Sequence, residues 1–411
     1  MLRFTVFLAN HKVDFHSMIT NSIPAISSTT KPERIENVSV EKIDILEIKK
    51  SGKSGNIVIF NWRDILNPKA GGAEKYCFEI ARRLTIDGYN VLWIASRERG
   101  QTRNDVYKGV KILRVGNIYT VFLLSFFASI GLKDIKATIT SINSIPFLSS
   151  PKLRKNRHVI IHHMVPYHVL QQKLNILAPI AYFLQNVFNP LFYRKSKILT
   201  VSNSTLSDLR NYGYKDSKVV KLGVDVFDYN PRKKKNIILA PGPLRPWKNH
   251  SDILKAFASI KSDFILKIFG MPESPSYESY LMGLAEKLGI RNGVEFLGKI
   301  SDDDKYAVFA ESSFVVIASE KEGWGIVSME AQAMGCPVVA YDVPGIRDSI
   351  RNNETGILVK YGDVSGLSMA MRELITNREK VEKMANSAFQ HSKDFDWESS
   401  YRDFLLKSQI E

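Results

Sequence analysis

From Asn56 onward the chain alternates short β-branched runs with amphipathic stretches, and it does so twice. That rhythm points to parallel sheets covered by helices, because neighbouring parallel strands need a long crossover between them. The first series predicts strands at 56–61, 91–96, 110–115, 137–142, 159–163, 197–202 and 219–222. A helix is expected over 72–87, and another is capped by Ser202 or Asn203. The second series predicts strands at 237–241, 265–270, 294–297, 314–319, 337–341 and 356–359, with closing helices at 363–376, 379–392 and 397–407. The polar, basic stretch 225–235 between the series reads as a linker. The expectation is an α/β chain of two Rossmann-like domains, 55–232 and 233–392, with ligands in a cleft at the carboxyl ends of the strands. Residues 393–411 form a C-terminal helix able to pack back on the N-terminal domain. Residues 1–54, rich in Ser, Thr, Lys and Glu without sustained periodicity, read as a poorly ordered extension.

Charge narrows the partners. Residues 1–250 carry 39 Lys and Arg against 17 Asp and Glu, whereas 251–411 carry 18 against 25. Between 106 and 207 there are thirteen basic side chains, and Asp134 is the only acid. A basic half suits an anionic partner: a phosphorylated ligand, an anionic membrane surface or a nucleic acid. No aromatic-rich RNA motif or basic recognition helix is present, so nucleic acid is not expected. The two cysteines, Cys77 and Cys336, are far apart and lack Cys-x-x-Cys spacing. That argues against a disulfide scaffold and a cysteine zinc site, and suits a reducing cytosol. No apolar run reaches the length of a spanning helix. Two shorter ones, 119–132 and 176–193, read either as core helices or as helices lying at a lipid interface.

Four constellations carry chemistry. In 319–331 a strand gives way to a glycine-bearing loop and then to a helix starting near Ile326, with Glu322 on the loop and Glu330 in the first turns. Free N–H groups at such a helix start attract anions, and the two carboxylates can accept sugar hydroxyls. The plainer alternative makes Glu330 a helix-start acid complementing the dipole and Glu322 a solvated one. Gly71-Gly72 ends the stretch 61–74 and lets backbone approach a bound group closely before the 72–87 helix. Gly242, Arg245 and Lys248 follow the first strand of the second series, where cations can stabilise a departing diphosphate. His162-His163 closes the 159–163 strand; with no acid near it in sequence, a metal site is discounted.

The run Glu322-Gly323-Trp324-Gly325…Glu330-Ala331…Met334-Gly335-Cys336-Pro337, with Asp342–Asp348 and Glu354–Val359 after it, resembles the signature of glycosyltransferase family 4. These are retaining enzymes of the GT-B fold. The likeness extends over about 56–398. It implies a nucleotide-sugar donor, with Glu322 on the sugar, Glu330 on the ribose, and Gly71, Gly72, Gly242, Gly323, Trp324 and Gly325 around the donor. By the same likeness His162 lies beside the donor sugar, while 143–147 and Ser202-Asn203-Ser204 match further segments. Lys248 matches the family lysine; Pro243 stands where the family has its arginine, and Arg245, two residues on, is the candidate replacement. Neither a cofactor nor a metal is implied. The expected function is a retaining hexosyltransferase working on a glycan acceptor, lipid-linked at the inner face of the cell membrane, from a cytoplasmic, peripheral position. The alternatives are a soluble sugar or sugar-phosphate acceptor and, from other classes, a catalytically inactive sugar-nucleotide-binding relative or a basic nucleic-acid-binding protein.

Overall fold

The computed structural model of this chain describes residues 55–142, 145–149, 153, 156–227 and 234–410. The 1–54 extension, the centre of the linker, and Asn143 and Ser144 lie outside the described residues.

The first half runs β1 (Asn56–Phe60), α1 (Gly72–Ile86), β2 (Asn90–Ala95), β3 (Asn104–Tyr107), β4 (Val110–Arg114), α2 (Val121–Ile130), β5 (Ile135–Ile142), β6 (Arg157–Ile161), α3 (Tyr167–Leu174), α4 (Ala178–Phe183), a π-turn, α5 (Asn189–Phe192), β7 (Lys197–Thr200), α6 (Asn203–Asn211) and β8 (Lys218–Val219). These strands make one sheet in the order β3-β4-β2-β1-β5-β6-β7-β8, parallel except for β3. The β3–β4 hairpin was not anticipated. Its first strand is short and polar, and a tight turn through Lys108 and Gly109, both at positive φ, closes it. Every residue of β1 is buried, as expected of a central parallel strand covered on both faces.

The second half runs β9 (Lys235–Pro241), α7 (His250–Ala258), β10 (Ile265–Phe269), α8 (Pro275–Lys287), β11 (Val294–Gly298), α9 (Asp302–Glu311), β12 (Ser312–Ile317), α10 (Ile326–Ala333), β13 (Val338–Tyr341), α11 (Ile346–Ser349), β14 (Gly356–Val359), α12 (Val364–Thr376), α13 (Arg378–Ser392) and α14 (Trp397–Ser408). Its sheet is wholly parallel, in the order β11-β10-β9-β12-β13-β14. Helix starts are capped where polar residues precede them: Ser202, Ser274, Ser301, Asp363 and Asp396 each accept backbone N–H bonds.

One core cluster fills the second half. Three others lie in the first half, and one of them also takes in Trp324, Met329 and Ala333 from the second half and Trp397, Tyr401 and Phe404 from α14. That shared core joins the halves. Helix α14 is fastened to the first half by Tyr401, whose hydroxyl donates to Asp87, and by Ser408 O, which accepts from Lys197 Nζ at 2.8 Å.

Candidate active site

The loop between β1 and α1 is built around buried charge. Arg114 on β4 donates to both Asp64 oxygens, at 2.7 and 2.9 Å, and both side chains are almost wholly buried. Asp64 also accepts from Leu66 N, so this pair sets the path of the loop. At its far end Glu74 accepts from Gly71 N at 2.7 Å and from Trp62 Nε1 at 3.0 Å. Burial pushes the Glu74 carboxyl up, against these hydrogen bonds and nearby Arg63. Gly72 then meets the other half: a Cβ there would lie 3.0 Å from the Ile326 side chain. The starts of α1 and α10 thus face one another.

Opposite, the loop after β12 makes its own tight passage. Gly325 caps α10 at φ +82, a conformation that glycine alone adopts readily. A Cβ on Gly323 would stand 2.9 Å from His162 O, so these backbones nearly touch across the cleft. Glu322 N donates to Pro344 O at 3.1 Å, and its carboxylate is paired with Lys248. Burial raises the Glu322 carboxyl, but Lys248 outweighs it and holds the pKa below the usual range.

Glu330 is nearly fully buried and faces two ammonium groups: Lys305 of α9 at 3.0 Å and Lys75 of α1, from the other half, at 3.1 Å. Lys75 also bonds Asp225 at 2.8 Å. Asp225 in turn accepts from the Tyr306 hydroxyl at 2.7 Å and from Trp397 Nε1 at 3.0 Å. Burial lowers the Lys75 pKa, but Glu330 and Asp225 more than reverse that and keep it charged. Further links close the cleft: Lys321 with Asp208 at 2.5 Å, and Asn203 N donating to Asp348 at 3.0 Å.

His162 sits just beyond β6, not within it. It is fully buried, its ring is edge-on to Tyr76 at 5.9 Å, and its Nε2 has no partner. Burial, with His163 adding to it, pushes its pKa down to about 3, so the ring is neutral at any ordinary pH. Arg245 precedes the short helical turn Pro246–Lys248 and lies against Trp247, with a buried Nε that has no partner. Arg63, on the β1–α1 loop, lies 4.1 Å from the Trp62 ring centre, and its Nε is likewise buried and unpartnered. Burial lowers the Arg63 pKa, and Arg245 is close enough to depress it further.

The structure therefore brings Glu322, Gly323, Gly325, Lys248 and His162 to one place, and Gly72 and Glu330 to the neighbouring interface. Trp324 departs from expectation. Its indole packs in the shared core, 5.1 Å from the Phe395 ring centre, and not as a wall of the cleft. Burying so large an apolar surface outweighs any gain from a polar ligand contact. Sequence reasoning passed over Arg63, Glu74, Lys75, Asp225 and Lys305. Glu74 had a signal, since an acid three residues after a helix cap makes a capping box. Lys75 and Lys305 had none, because their partner lies more than 20 residues away in each case.

Two Rossmann-like α/β halves, with glycine turns meeting across a cleft lined by paired acids and cations, define the GT-B class. Solved structures agree on the fold. A sucrose-phosphate synthase from Thermosynechococcus elongatus superposes with a TM-score of 0.71 at 16% identity, covering 86% of this chain and 98% of that one. WaaG, a glycosyltransferase involved in lipopolysaccharide biosynthesis, gives 0.67 at 16%, covering 86% and 99%. The family described as glycosyl transferases group 1 matches residues 224–391, and glycosyltransferase family 4 matches 70–226. The chain belongs to this family of glycosyltransferases. Among curated proteins it is 31% identical over 211 residues to a D-inositol 3-phosphate glycosyltransferase of Rhodococcus erythropolis, covering 49% of this chain and 46% of the relative. It is 28% identical over 217 residues to an N-acetyl-alpha-D-glucosaminyl L-malate synthase of Bacillus anthracis, covering 53% and 54%. The matched stretch is thus about half the length of these curated relatives.

Proposed function

We propose that this chain transfers a hexosyl group, with retention of configuration, from a nucleoside-diphosphate sugar to an anionic acceptor. The observation that carries this reading is the Lys248–Glu322 pair, set beside a neutral, unpartnered His162. On donor arrival Lys248 exchanges Glu322 for diphosphate oxygens, and Arg245 meets the same charge as it grows on the leaving group. Glu322, released, accepts hydroxyls of the sugar. His162, neutral, offers Nε2–H to the sugar without adding a positive charge beside an oxocarbenium-like centre. Glu330 exchanges its lysines for the ribose hydroxyls. No metal is called for in this scheme, since cationic side chains supply the countercharge; retention follows the family resemblance.

For the acceptor, the relatives' names favour a small phosphorylated or carboxylated molecule such as a sugar phosphate. A lipid-linked glycan, taken up from the cytoplasmic side at a membrane, is the second reading, favoured by the apolar outer face of the first half described below. Both carry an anionic group, for which Arg63 is placed on the first half's side of the cleft. The test is a transfer assay with radiolabelled UDP-, GDP- and ADP-hexoses against inositol phosphate, malate and polyprenyl-phosphate glycans. Transfer to a soluble anion selects the first reading, and transfer only to lipid-linked glycans selects the second. Failure to bind or hydrolyse any of these donors sinks both.

A further inference from the structure

We propose that the outer helical face of the first half, formed by α2 and by the run α4–α5 with the turn before it, docks onto an anionic lipid bilayer. Both helical stretches bury small or polar side chains and turn large apolar ones outward, an unusual arrangement for a surface bathed only by water. In α2 the side chains turned inward are Val121, Ser125 and Ser129, with Ser125 donating to Leu148 O at 3.2 Å, while Leu123, Phe127 and Ile130 face out, Phe127 at 60% exposure. In 176–192 the buried positions include Gln185, whose amide is satisfied by both backbone groups of Val165 at 3.0 Å. Ile176, Ile180, Phe183 and Leu191 are exposed there, Ile176 at 85%. Small or hydrogen-bonded polar groups inside and large apolar groups outside are the arrangement of an element whose outer solvent is not water.

The two faces belong to one layer. Phe147 joins them: its ring packs at a tilt against Phe122 of α2, 4.7 Å between centres, and its N–H donates to the hydroxyl of Tyr193, just past α5, at 3.1 Å. Charge points to the occupant. Lys133 follows α2, and Arg194 and Lys195 follow α5; all three are exposed. They precede β5 and β7, which run parallel with β6 between them, so they rim the same edge of the sheet beside the apolar face. Asp134 is the one acid between 106 and 207, and Asp216, which precedes β8 on the same edge, is flanked by Lys215 and Lys218. A second copy of this chain would bring an equally basic rim against this one, whereas anionic headgroups complement it. Among the described residues no helix is long and apolar enough to cross a membrane, so the contact is interfacial. At their other ends these elements reach the cleft: α3, just before the run, pairs through His168 with Glu320 at 2.5 Å. Docking would therefore hold the cleft's mouth near the lipid surface. Arg157, which the sequence would enlist among the basic contacts, takes no part. It is buried, with Nε on Ser196 at 2.6 Å and Nη2 on Phe192 O at 2.8 Å; Arg154 and Lys155 lie outside the described residues.

Co-sedimentation of the full chain with vesicles of phosphatidylcholine alone, or with 30% phosphatidylglycerol, tests this without turnover, so its outcome is separable from that of the transferase reading. Binding is expected to the anionic vesicles, falling several-fold between low and high salt. The double variant Leu123→Ser/Phe127→Ser, and separately Ile180→Ser/Phe183→Ser, should each cut binding at least tenfold with unchanged melting temperature, since these side chains are exposed. Arg194→Glu/Lys195→Glu should reduce binding at low salt only. No pelleting above the vesicle-free control overturns the proposal. So does binding indifferent to the apolar substitutions, or a lipid-free dimer that those substitutions dissociate, which would assign the face to a second copy.

Discussion

Glu330 shows how a residue's neighbours change its meaning. Read from sequence it is a helix-start acid whose loss should leave the fold intact, costing only a hydrogen-bond acceptor worth about 1.5–3 kcal/mol in donor affinity. In the structure it neutralises Lys75 and Lys305 together. Glu330→Ala should therefore also destabilise the protein, by about 1–3 kcal/mol, because Lys75 and Lys305 each lose a buried partner while keeping Asp225 and Asp302. Urea denaturation checks this; the added Lys75→Ala change should recover part of the loss, and strict additivity would dissolve the pairing. Arg63 should behave in the opposite way. Its buried Nε is unsatisfied, which offsets the Nη1 bond to Lys69 O and the packing on Trp62, so Arg63→Gln should change stability by less than about 1 kcal/mol while lowering kcat/KM for the anionic acceptor about 10- to 100-fold. A stability loss with normal kinetics would make Arg63 a structural residue.

Among the elements, the β1–α1 loop depends on the Arg114–Asp64 pair, which lies between a strand interior and the cleft. Arg114→Met should cost about 3–5 kcal/mol, as it removes one partner of a buried pair and leaves Asp64 buried without it, and denaturant midpoints would report it. The turn between β12 and α10 is governed by close approach. Gly323→Ala inserts a methyl group where His162 O stands 2.9 Å away. The two halves must separate slightly to admit it, so turnover should fall by tenfold or more while the melting temperature of this variant moves little. A large unfolding shift instead would show that the turn serves stability first.

The whole molecule closes on itself through the shared core, α14 and the Lys75 bridge, and it buries imidazoles as it does so. His162 and His250 are both pushed down to about 3 by burial, against about 6.5 when exposed. Below pH 6.5 the unfolded chain takes up protons that the folded one refuses. Stability should therefore be fully present above pH 6.5 and decline as pH falls toward 3, by up to roughly 1.4 kcal/mol per pH unit for each histidine. Unfolding free energies at pH 7.5, 6 and 5 would show the slope, and a flat profile would contradict the burial. The strand–helix rhythm and the glycine-flanked Glu322…Glu330 run were legible in the sequence, because periodicity and turn chemistry are local. What lay beyond it was every contact between distant stretches: Lys75 meeting Glu330, Arg114 meeting Asp64, and Trp324 entering the core. The β3 strand escaped because its pairing comes from a two-residue turn, not from its own composition. Hydropathy marked 119–132 and 176–193 as apolar, yet could not say which side would face out. That was decided by tertiary structure, where Ser125 and Gln185 found backbone partners inside and left the apolar side chains on the surface.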